Sequence, residues 1–445
     1  MLKPYLKAHT SKMPSDNHVR WNLMVILFFV VVNMAYTLFW YPLVDHTSVW
    51  LIPGDIWGTF RAAQDVGWGY IGGIYSGGTY LVTFPGIAVL LAPIAMISGS
   101  LGLSMSFPFT LAHPTSWLIL GPMVLLLGAI LLIPLDQLAS RFGVSSRRRY
   151  LLTLVQMVPI WTIATWAGHP EICLALALAL WGVMKGFDGD WIACGWLFGL
   201  AIAFQPFVLL ILAVLLFSRM PVRVVIKTLF RSAIPSTLLL IIPFVQNWPS
   251  TSKALITQPT YPSVNHPTPF LRFAPVITSA HWERVPYGTA PSRQGLVRIV
   301  GHTEYVHVVE VVGGGPDRLL AILLACLAGW WLRKRSLSLA QMIWWIGIAL
   351  SLWSGLDSVM TPYYLDPSLI ILILLAVRTD ILRFIGVTAI VVAISVYSEH
   401  FYSPWVWWTP IVVLIALGLG LTHPTASINS DPAGGVSSLV VMEEV

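Results

Sequence analysis

Charged residues are scarce in this sequence: Lys, Arg, Asp and Glu make up 10% of 445 residues, against 57% for the hydrophobic types. A soluble globular chain carries roughly 25% charged residues. The mean hydropathy of +0.78 is that of a chain that does not dissolve in water. The composition therefore excludes a set of soluble domains and predicts a polytopic membrane protein.

Cysteines are also few, and Cys173, Cys194 and Cys326 all lie inside apolar stretches. They form no CxxC pair, so the sequence offers neither a disulfide framework nor a zinc-type metal site. The first apolar run, Asn22 to Trp40, lacks a small-residue cleavage site and is too long for the apolar part of a signal peptide. We therefore expect it to remain as a transmembrane helix.

Apolar runs long enough to cross a bilayer predict about twelve transmembrane helices. The predicted spans are residues 22–41, 116–135, 150–168, 170–185, 190–204, 206–218, 225–246, 317–333, 338–356, 362–378, 382–399 and 405–421. Lys and Arg gather in short runs between spans, which argues against nucleic-acid binding and makes runs such as Arg147 to Arg149 orienting charges. These spans place every basic run on one side, so both termini are expected in the cytoplasm.

One apolar segment, residues 79–97, does not fit this topology, because a single crossing would place the basic run at 141–149 outside. The segment either re-enters the membrane or pairs with residues 98–113, which leaves twelve or fourteen crossings. Pro85 and Pro93 make a broken or re-entrant helix physically reasonable where protein covers it.

Two long segments fall on the outer side of the predicted spans. Residues 42–78 are rich in Gly and Trp, and residues 247–316 in Pro, His and aromatic residues, which suits ordered loops over a site. Residues 1–421 are thus expected to form one integral membrane domain of all-α class. Residues 422–445 are polar and predict a disordered cytoplasmic tail.

Among the acidic residues of the outer side, Asp55 is the first candidate for catalysis. It follows Gly54, where the backbone can turn, and Trp50 and Trp57 can hold the segment in the membrane interface. A partly desolvated carboxylate there could serve as a general base. The alternative is a solvated Asp that caps a short helix beginning at Ile56.

Short motifs accompany this aspartate along the chain. They are GGIY at 72–75, TFPG at 83–86, AGHPE at 167–171 and WLFGLAIAFQPFVLLILAVLL at 196–216. Together they resemble the GT-C glycosyltransferases, in particular the polyprenyl-phosphate-mannose-dependent mannosyltransferases of the glycosyltransferase 87 type. That family has an Asp in the first outer loop, a Thr-aromatic-Pro-Pro helix start, a Gly-[Asn/His]-Pro-acid turn and a Gly-Leu-Ala…Lys-Pro hairpin. The motifs cover about residues 20–220, and the rest resembles the family by hydropathy alone.

Two positions depart from the family's pattern. Gly86 stands where the family usually has a second Pro, and Gln205 where it usually has Lys. The first change loosens a helix start, whereas the second removes a cation whose charge another residue must supply if it normally holds a donor phosphate. No DxD or DD pair surrounds Asp55, because Gly54 and Ile56 flank it, which disfavours dependence on a divalent metal. No cofactor is expected.

The resemblance implies a lipid-phosphate sugar donor, whose departing phosphate needs cations or strong hydrogen-bond donors. Arg298 and His302 are the preferred pair, because GT-C sites often draw such a residue from an outer loop before a later helix. His307 is a close rival, although the alternation in VHVVEVV also fits a strand with His307 on its face. Further candidates for substrate contacts are Arg61, His169, Glu171, Gln205, Tyr363 and Tyr364.

Each of these candidates also has an ordinary structural explanation. A His-Pro-Glu sequence is a common helix start, with Pro170 in the first turn and Glu171 favourable to the helix dipole. Tyrosines such as Tyr363 and Tyr364 occur at any membrane interface. A loop histidine can simply hydrogen-bond to its surroundings.

These features predict a multi-pass membrane glycosyltransferase of GT-C architecture. Its site would lie on the outer face, between residues 42–78 and 247–316, where Asp55 deprotonates an acceptor hydroxyl and a polyprenyl phosphate leaves with inversion. Mannose is implied by the resemblance, with another hexose or a pentose left open, and the acceptor would be a lipid or glycan. The alternatives are a secondary transporter or lipid flippase, against which the scarcity of intramembrane charges counts, and a non-catalytic assembly subunit.

Overall fold

The computed structural model describes residues 16–35, 54–76, 81, 83–103, 117–219, 221–262, 265–285, 297–300, 303–313, 315–400 and 403–424. The predicted disordered tail, apart from its first three residues, and residues 42–53 and 77–78 of the first outer segment lie outside the described residues.

Helices make up most of the described chain. They are α1 (Asp16–Ala35), α2 (Gly54–Gly67), α3 (Gly86–Ser100), α4 (Trp117–Ala129), α5 (Leu132–Arg141), α6 (Ser146–Trp161), α7 (Pro170–Phe187), α8 (Trp191–Phe204), α9 (Val208–Arg219), α10 (Val222–Gln246), α11 (Trp248–Ser252), α12 (Pro316–Leu332), α13 (Leu339–Leu356), α14 (Asp366–Ala376), α15 (Ile381–Ser398) and α16 (Pro404–Leu421). The prediction of a mainly helical chain is confirmed.

Six helical segments of the described residues are long and apolar enough to cross a membrane. They are Ile119–Arg141, Pro170–Phe187, Val222–Gln246, Leu339–Leu356, Ile381–Ser398 and Pro404–Leu421. Each of the twelve predicted spans overlaps a helix, whereas the number of crossings stays a prediction. The disputed segment 79–97 enters the short apolar helix α3, which packs against α2 and α8. Its re-entry into the membrane stays a prediction.

Local sequence signals set several helix starts. Pro170, Pro316 and Pro404 each occupy the first position of a helix, where the missing N–H costs no hydrogen bond. Ser338 begins α13 with a capping box. The Asp380 side chain caps α15, and the hydrogen bond that it accepts from the backbone N–H of Arg383 lowers the pKa of its carboxyl.

The core of the helical part surrounds α14. Every residue of this helix is buried, and it packs against α6, α7, α13, α15 and α16. A helix that is apolar on all sides belongs at such a central position. Gln156 of α6 donates a hydrogen bond of 2.9 Å to the carbonyl oxygen of Ile370, which ties the two helices at the level of the backbone.

Several of the predicted basic runs share one end of the helical part. Arg141 forms a bidentate ion pair with Asp188, three residues after Lys185. The Arg148 guanidinium donates to the carbonyl oxygens of Val377 and Thr379, beside Arg378. The run at 141–149 therefore lies at the same end as Lys185 and Arg378, as the topology required.

Arg149 has a role that its interpretation as an orienting charge missed. Its Nε lies 2.7 Å from Oδ1 of Asp136, and the two side chains are only 7% and 4% exposed. A buried ion pair of this kind holds its partners in one geometry, because either charge alone would be costly to bury. Arg149 thus fastens the start of α6 to α5.

A four-stranded antiparallel sheet occupies much of the second outer segment, which the all-α prediction did not include. Six strands are described in all: β1 (Pro259–Thr260), β2 (His266–Pro267), β3 (Val276–Val285), β4 (Val297–Val300), β5 (Thr303–Val312) and β6 (Val359–Met360). The four-stranded sheet consists of β1, β3, β4 and β5. Strand β5 pairs with β1, β3 and β4, while β2 and β6 form a separate two-stranded pair. The alternation in VHVVEVV predicted a strand, and β5 confirms it.

Replacing Arg149 with Ala should destabilise the protein strongly. The change strips the buried Asp136 of its cation, and removing one member of a buried pair typically costs about 3–5 kcal/mol. The measurement is thermal unfolding of the purified protein in detergent, with Arg147→Ala as the control because Arg147 is exposed on the same helix. Equal melting temperatures for the two variants would contradict the structural role.

Candidate functional site

The motif at 83–86 contacts the end of helix α8. The hydroxyl of Thr83 donates a 2.9 Å hydrogen bond to the carbonyl oxygen of Phe204, and Tyr75 donates 3.0 Å to the carbonyl oxygen of Thr83. Burial raises the pKa of Tyr75, so this phenol stays a neutral donor. The GGIY and TFPG motifs therefore meet the hairpin motif, which lies more than 100 residues further along the chain.

Gly86 sits where the two segments approach most tightly. A Cβ atom on this residue would lie 2.5 Å from the carbonyl oxygen of Ala203 and 3.3 Å from the Phe204 ring. The departure from the family's second Pro thus coincides with a close backbone approach that only glycine permits without movement. The next residue after Phe204 is Gln205, the second departure, so both departures lie at one junction.

Glu171 accepts a hydrogen bond from the side chain of Gln205. Gln205 Nε2 lies 3.3 Å from Glu171 Oε1, and His169 Nδ1 lies 2.6 Å from the same oxygen. His169 and Glu171 are buried, with Glu171 fully so. Gly168, with φ of 76°, turns the chain immediately before them into the start of α7. Oε2 of Glu171 has no hydrogen-bond partner among the described residues.

Stacked aromatic rings adjoin this carboxylate. The His169 ring stacks on Tyr363, with centroids 4.5 Å apart and planes inclined by 27°. Tyr364 lies edge-on to Tyr363 at 4.8 Å and contacts Trp353 at 5.1 Å. The short turn Pro362–Tyr364 that carries the tyrosines leads into α14. His169, Glu171, Gln205, Tyr363 and Tyr364, all predicted as substrate-binding residues, are named the Glu171 cluster below.

Arg318 is a functional candidate that the sequence reasoning missed. Its Nε donates 2.8 Å to Oδ2 of Asp357, its Nη1 donates to Gln258, and its charge interacts with both tyrosines. Nη2 has no partner among the residues that the structure describes. The residue was overlooked because it was counted within the apolar span 317–333. The sequence feature that could have identified it is a charged residue in the first turn of an apolar helix, here α12.

Buried acids outnumber cations in this region. Asp317, Asp357 and Asp366 are buried as Glu171 is, and Cys173 lies within electrostatic range of Glu171 and Asp366. Three of these acids occupy the first turns of α7, α12 and α14, where the helix dipole offsets part of their charge. Such a site offers acceptors to a ligand rich in hydroxyl groups, and its aromatic rings offer flat apolar faces.

The other predicted residues lie elsewhere. Asp55 is the second residue of α2, which begins at Gly54 rather than at Ile56 as the capping alternative had it, and its side chain is outside the described part. Arg61 lies exposed on the same helix. His302 is not among the described residues. Arg298 lies on β4 and His307 on β5, on a strand face as its alternative predicted.

The sheet keeps its cations away from the Glu171 cluster. Val311 of β5 packs with Val359, close to the tyrosine turn. The Arg298 position pairs with Tyr305, six residues further along β5, or roughly 20 Å at about 3.3 Å per residue. No described hydrogen bond, ion pair or ring contact joins His307 to the cluster. The role of Arg298 and His307 in holding a donor phosphate stays a prediction.

Within the described ranges, no group of three or more His, Cys, Asp or Glu side chains could hold a metal ion. Comparisons with protein-family models, with curated proteins and with solved structures found no match to this chain. The resemblance to GT-C enzymes therefore rests on the sequence motifs alone.

Replacing Gly86 with Ala should disturb the junction between the motifs. The added methyl group would overlap the Ala203 carbonyl, and overpacking of this kind typically costs about 1–3 kcal/mol. Gly99→Ala is the matched control, because it lies in the same helix with nothing within 4 Å of its added Cβ. Thermal unfolding should show a lower melting temperature for the first variant alone; an equal effect of both would mean that the contact does not constrain the fold.

Proposed function

We propose that the chain is a multi-pass membrane glycosyltransferase of GT-C architecture, with the Glu171 cluster as part of its sugar-binding site. The observation that carries the proposal is the convergence of the motifs. Three segments that are distant in sequence, residues 75–83, 169–171 and 204–205, are linked through the end of α8 to a single buried carboxylate.

The chemistry of the cluster suits a sugar. Carboxylate oxygens accept hydrogen bonds from hydroxyl groups, and the unpartnered Oε2 of Glu171 is available for one. One face of the Tyr363 ring can pack against the apolar face of a pyranose, because His169 stacks on the same tyrosine ring and holds it in place. Gln205 and His169 already hold the carboxylate of Glu171 in one position. Binding of a sugar would therefore cost little side-chain conformational entropy.

In the proposed reaction a polyprenyl phosphate leaves the anomeric carbon as an acceptor hydroxyl attacks. Asp55 takes the proton of that hydroxyl, and the displacement inverts the configuration. The departing phosphate needs a cation, and Arg318 beside the tyrosines is better placed for it than the sheet cations. Asp357 holds that guanidinium in position and offsets part of its charge. Neither a metal nor another cofactor takes part.

The proposed orientation follows from the charges. Arg141, Lys185 and Arg378 mark one end of the helical part, which would be cytoplasmic together with both termini. The Glu171 cluster would then face the outer side, where a lipid-linked donor and a glycolipid or glycan acceptor meet. The donor sugar is proposed to be mannose, as in the family that the motifs resemble.

One observation favours the alternative of a secondary transporter. Glu171 and Asp366 are buried carboxylates that each have an oxygen without a partner among the described residues. Proton-coupled transporters use buried acids of this kind. Uptake of a substrate into proteoliposomes, driven by a pH gradient and absent from Glu171→Gln, would support transport over transfer.

Asp55→Asn should abolish sugar transfer while leaving folding intact, because it removes the base and keeps the shape. A general base typically contributes about 10²–10⁴-fold in rate. The assay supplies purified protein in lipid with labelled polyprenyl-phosphate sugars and a panel of acceptors. Asp65→Asn, a change of the same kind in the same helix, is the control. Transfer at more than half the wild-type rate in Asp55→Asn would falsify the assignment of this base.

Glu171→Gln should weaken use of the donor without changing the pH dependence set by Asp55. A hydrogen bond to a charged group contributes about 1.5–3 kcal/mol, which predicts a loss of roughly 10–100-fold in kcat/KM. The loss should appear mainly in KM if the bond forms in the ground state. Asp188→Asn, at the opposite end of the helical part, controls for loss of an acid in general. An unchanged KM and kcat would remove Glu171 from the site.

A further inference from the structure

Helix α12 ends in a run of three exposed cations, Arg333, Lys334 and Arg335. The run lies far from the Glu171 cluster, because the 17-residue helix that separates it from the tyrosine side spans roughly 25 Å at about 1.5 Å per residue. Gly329 lies against Phe217 at the end of α9, whose Leu215 reaches the end of α7. The run therefore lies at the end of the helical part that carries the other basic runs.

No acidic side chain that the structure describes neutralises this run. Its three cations form no ion pair with a described residue. The acids whose side chains are described at this end each have a cation of their own, in the pairs Asp136–Arg149, Asp188–Arg141, Asp190–Lys185 and Asp380–Arg383. The run is therefore available to a negatively charged ligand.

Two tryptophans of α12 hold the arginines. The guanidinium carbon of Arg333 lies 3.6 Å from the centre of the Trp330 ring, and that of Arg335 lies 3.8 Å from the centre of the Trp331 ring. Trp331 in turn packs edge-on against Trp345 of α13, with ring centroids 5.7 Å apart. A guanidinium stacked on a ring uses its flat face and keeps the N–H donors at its edge. Both arginines therefore offer hydrogen-bond donors from restricted positions.

The two tryptophans and the three cations are named the Trp–Arg site. An exposed apolar strip of the same helix leads to it, formed by Leu319, Leu323, Leu327 and Trp330. Residues spaced by three or four positions share one face of a helix. The strip is roughly 17 Å long, which is about half of the ~30 Å hydrocarbon core of a bilayer. Its length and direction match an acyl chain whose headgroup lies at the cations.

We propose that the Trp–Arg site binds the headgroup of an anionic phospholipid, with one acyl chain along the apolar strip. Arginine recognises phosphate through paired N–H donors, and the interface of a bilayer is where tryptophan and basic side chains meet headgroups. Charge complementarity selects an anionic lipid over a zwitterionic one, since the three cations have no described counter-charge. The strip favours a lipid over free phosphate. The proposal is independent of the proposed transferase function.

The test uses the full chain reconstituted in phosphatidylcholine vesicles. Ser336→Cys, at an exposed position next to Arg335, carries a fluorophore in a Cys326→Ser background, where the remaining Cys173 and Cys194 are buried. The vesicles contain the same minor fraction of phosphatidylglycerol or phosphatidylcholine with a spin label on the acyl chain, which leaves the headgroup intact. Phosphatidylglycerol should quench more strongly, with a local enrichment of about 5-fold or more that falls as salt is raised.

Two sets of variants separate a defined site from diffuse attraction. Replacing Arg333 and Arg335 together with Gln should abolish the preference, whereas Arg147→Gln, at an exposed position of the same end, should keep it. Replacing Trp330 and Trp331 with Leu leaves every charge in place, yet it should lower the preference about 2–5-fold, because the guanidinium groups lose the rings that hold them. Trp405→Leu, at an exposed position of α16, is the matched control.

Equal quenching by the two lipids in the labelled background would overturn the proposal, as would a preference that survives in the double arginine variant. A preference that the tryptophan variant keeps in full would show diffuse attraction to the basic end and no headgroup site. Should the double arginine variant fail to fold, the salt titration decides, because a preference that salt does not lower contradicts binding through these cations.

Discussion

A carboxylate removed from water governs the arrangement of this protein. Glu171 is fully buried at the start of α7, and a buried acid must receive hydrogen bonds or a counter-charge. His169 comes from the turn before α7 and Gln205 from the end of α8, and Tyr363 stacks on His169 from the start of α14. Satisfying one group therefore sets the relative positions of three helices. Gly86 and Thr83 then attach α3 to the same junction.

The distribution of charge divides the molecule into three regions. Buried acids and Arg318 surround the tyrosines at one end of the helices, while basic side chains such as Arg141 and Arg148 close the other end. The strands of the sheet carry the Arg284, Arg298 and His307 positions as a third region. Grouping charges of one sign at helix ends costs little free energy. The helix dipole stabilises acids in a first turn, and basic side chains near a last turn donate hydrogen bonds to free backbone carbonyl groups.

Hydropathy predicted where the helices lie, because a long apolar run has few alternatives to a buried or lipid-facing helix. Pairings distant in sequence could not be predicted. The contact of Gly86 with Ala203 and the ion pair of Arg149 with Asp136 depend on helix packing that no local pattern encodes. The sheet was missed except at β5, since its other strands lack a clear alternation. Arg318 was missed because a residue in the first turn of an apolar helix was counted as part of the span.

The most direct measurement is a cryo-EM map of the protein in lipid nanodiscs with a non-transferable phosphonate analogue of a polyprenyl-phosphate sugar at saturating concentration. The account predicts a sugar ring against Tyr363, with a hydroxyl within hydrogen-bond distance of Glu171 Oε2 and the phosphonate beside Arg318. Binding of the analogue at any other place, with no density against Tyr363, would contradict it.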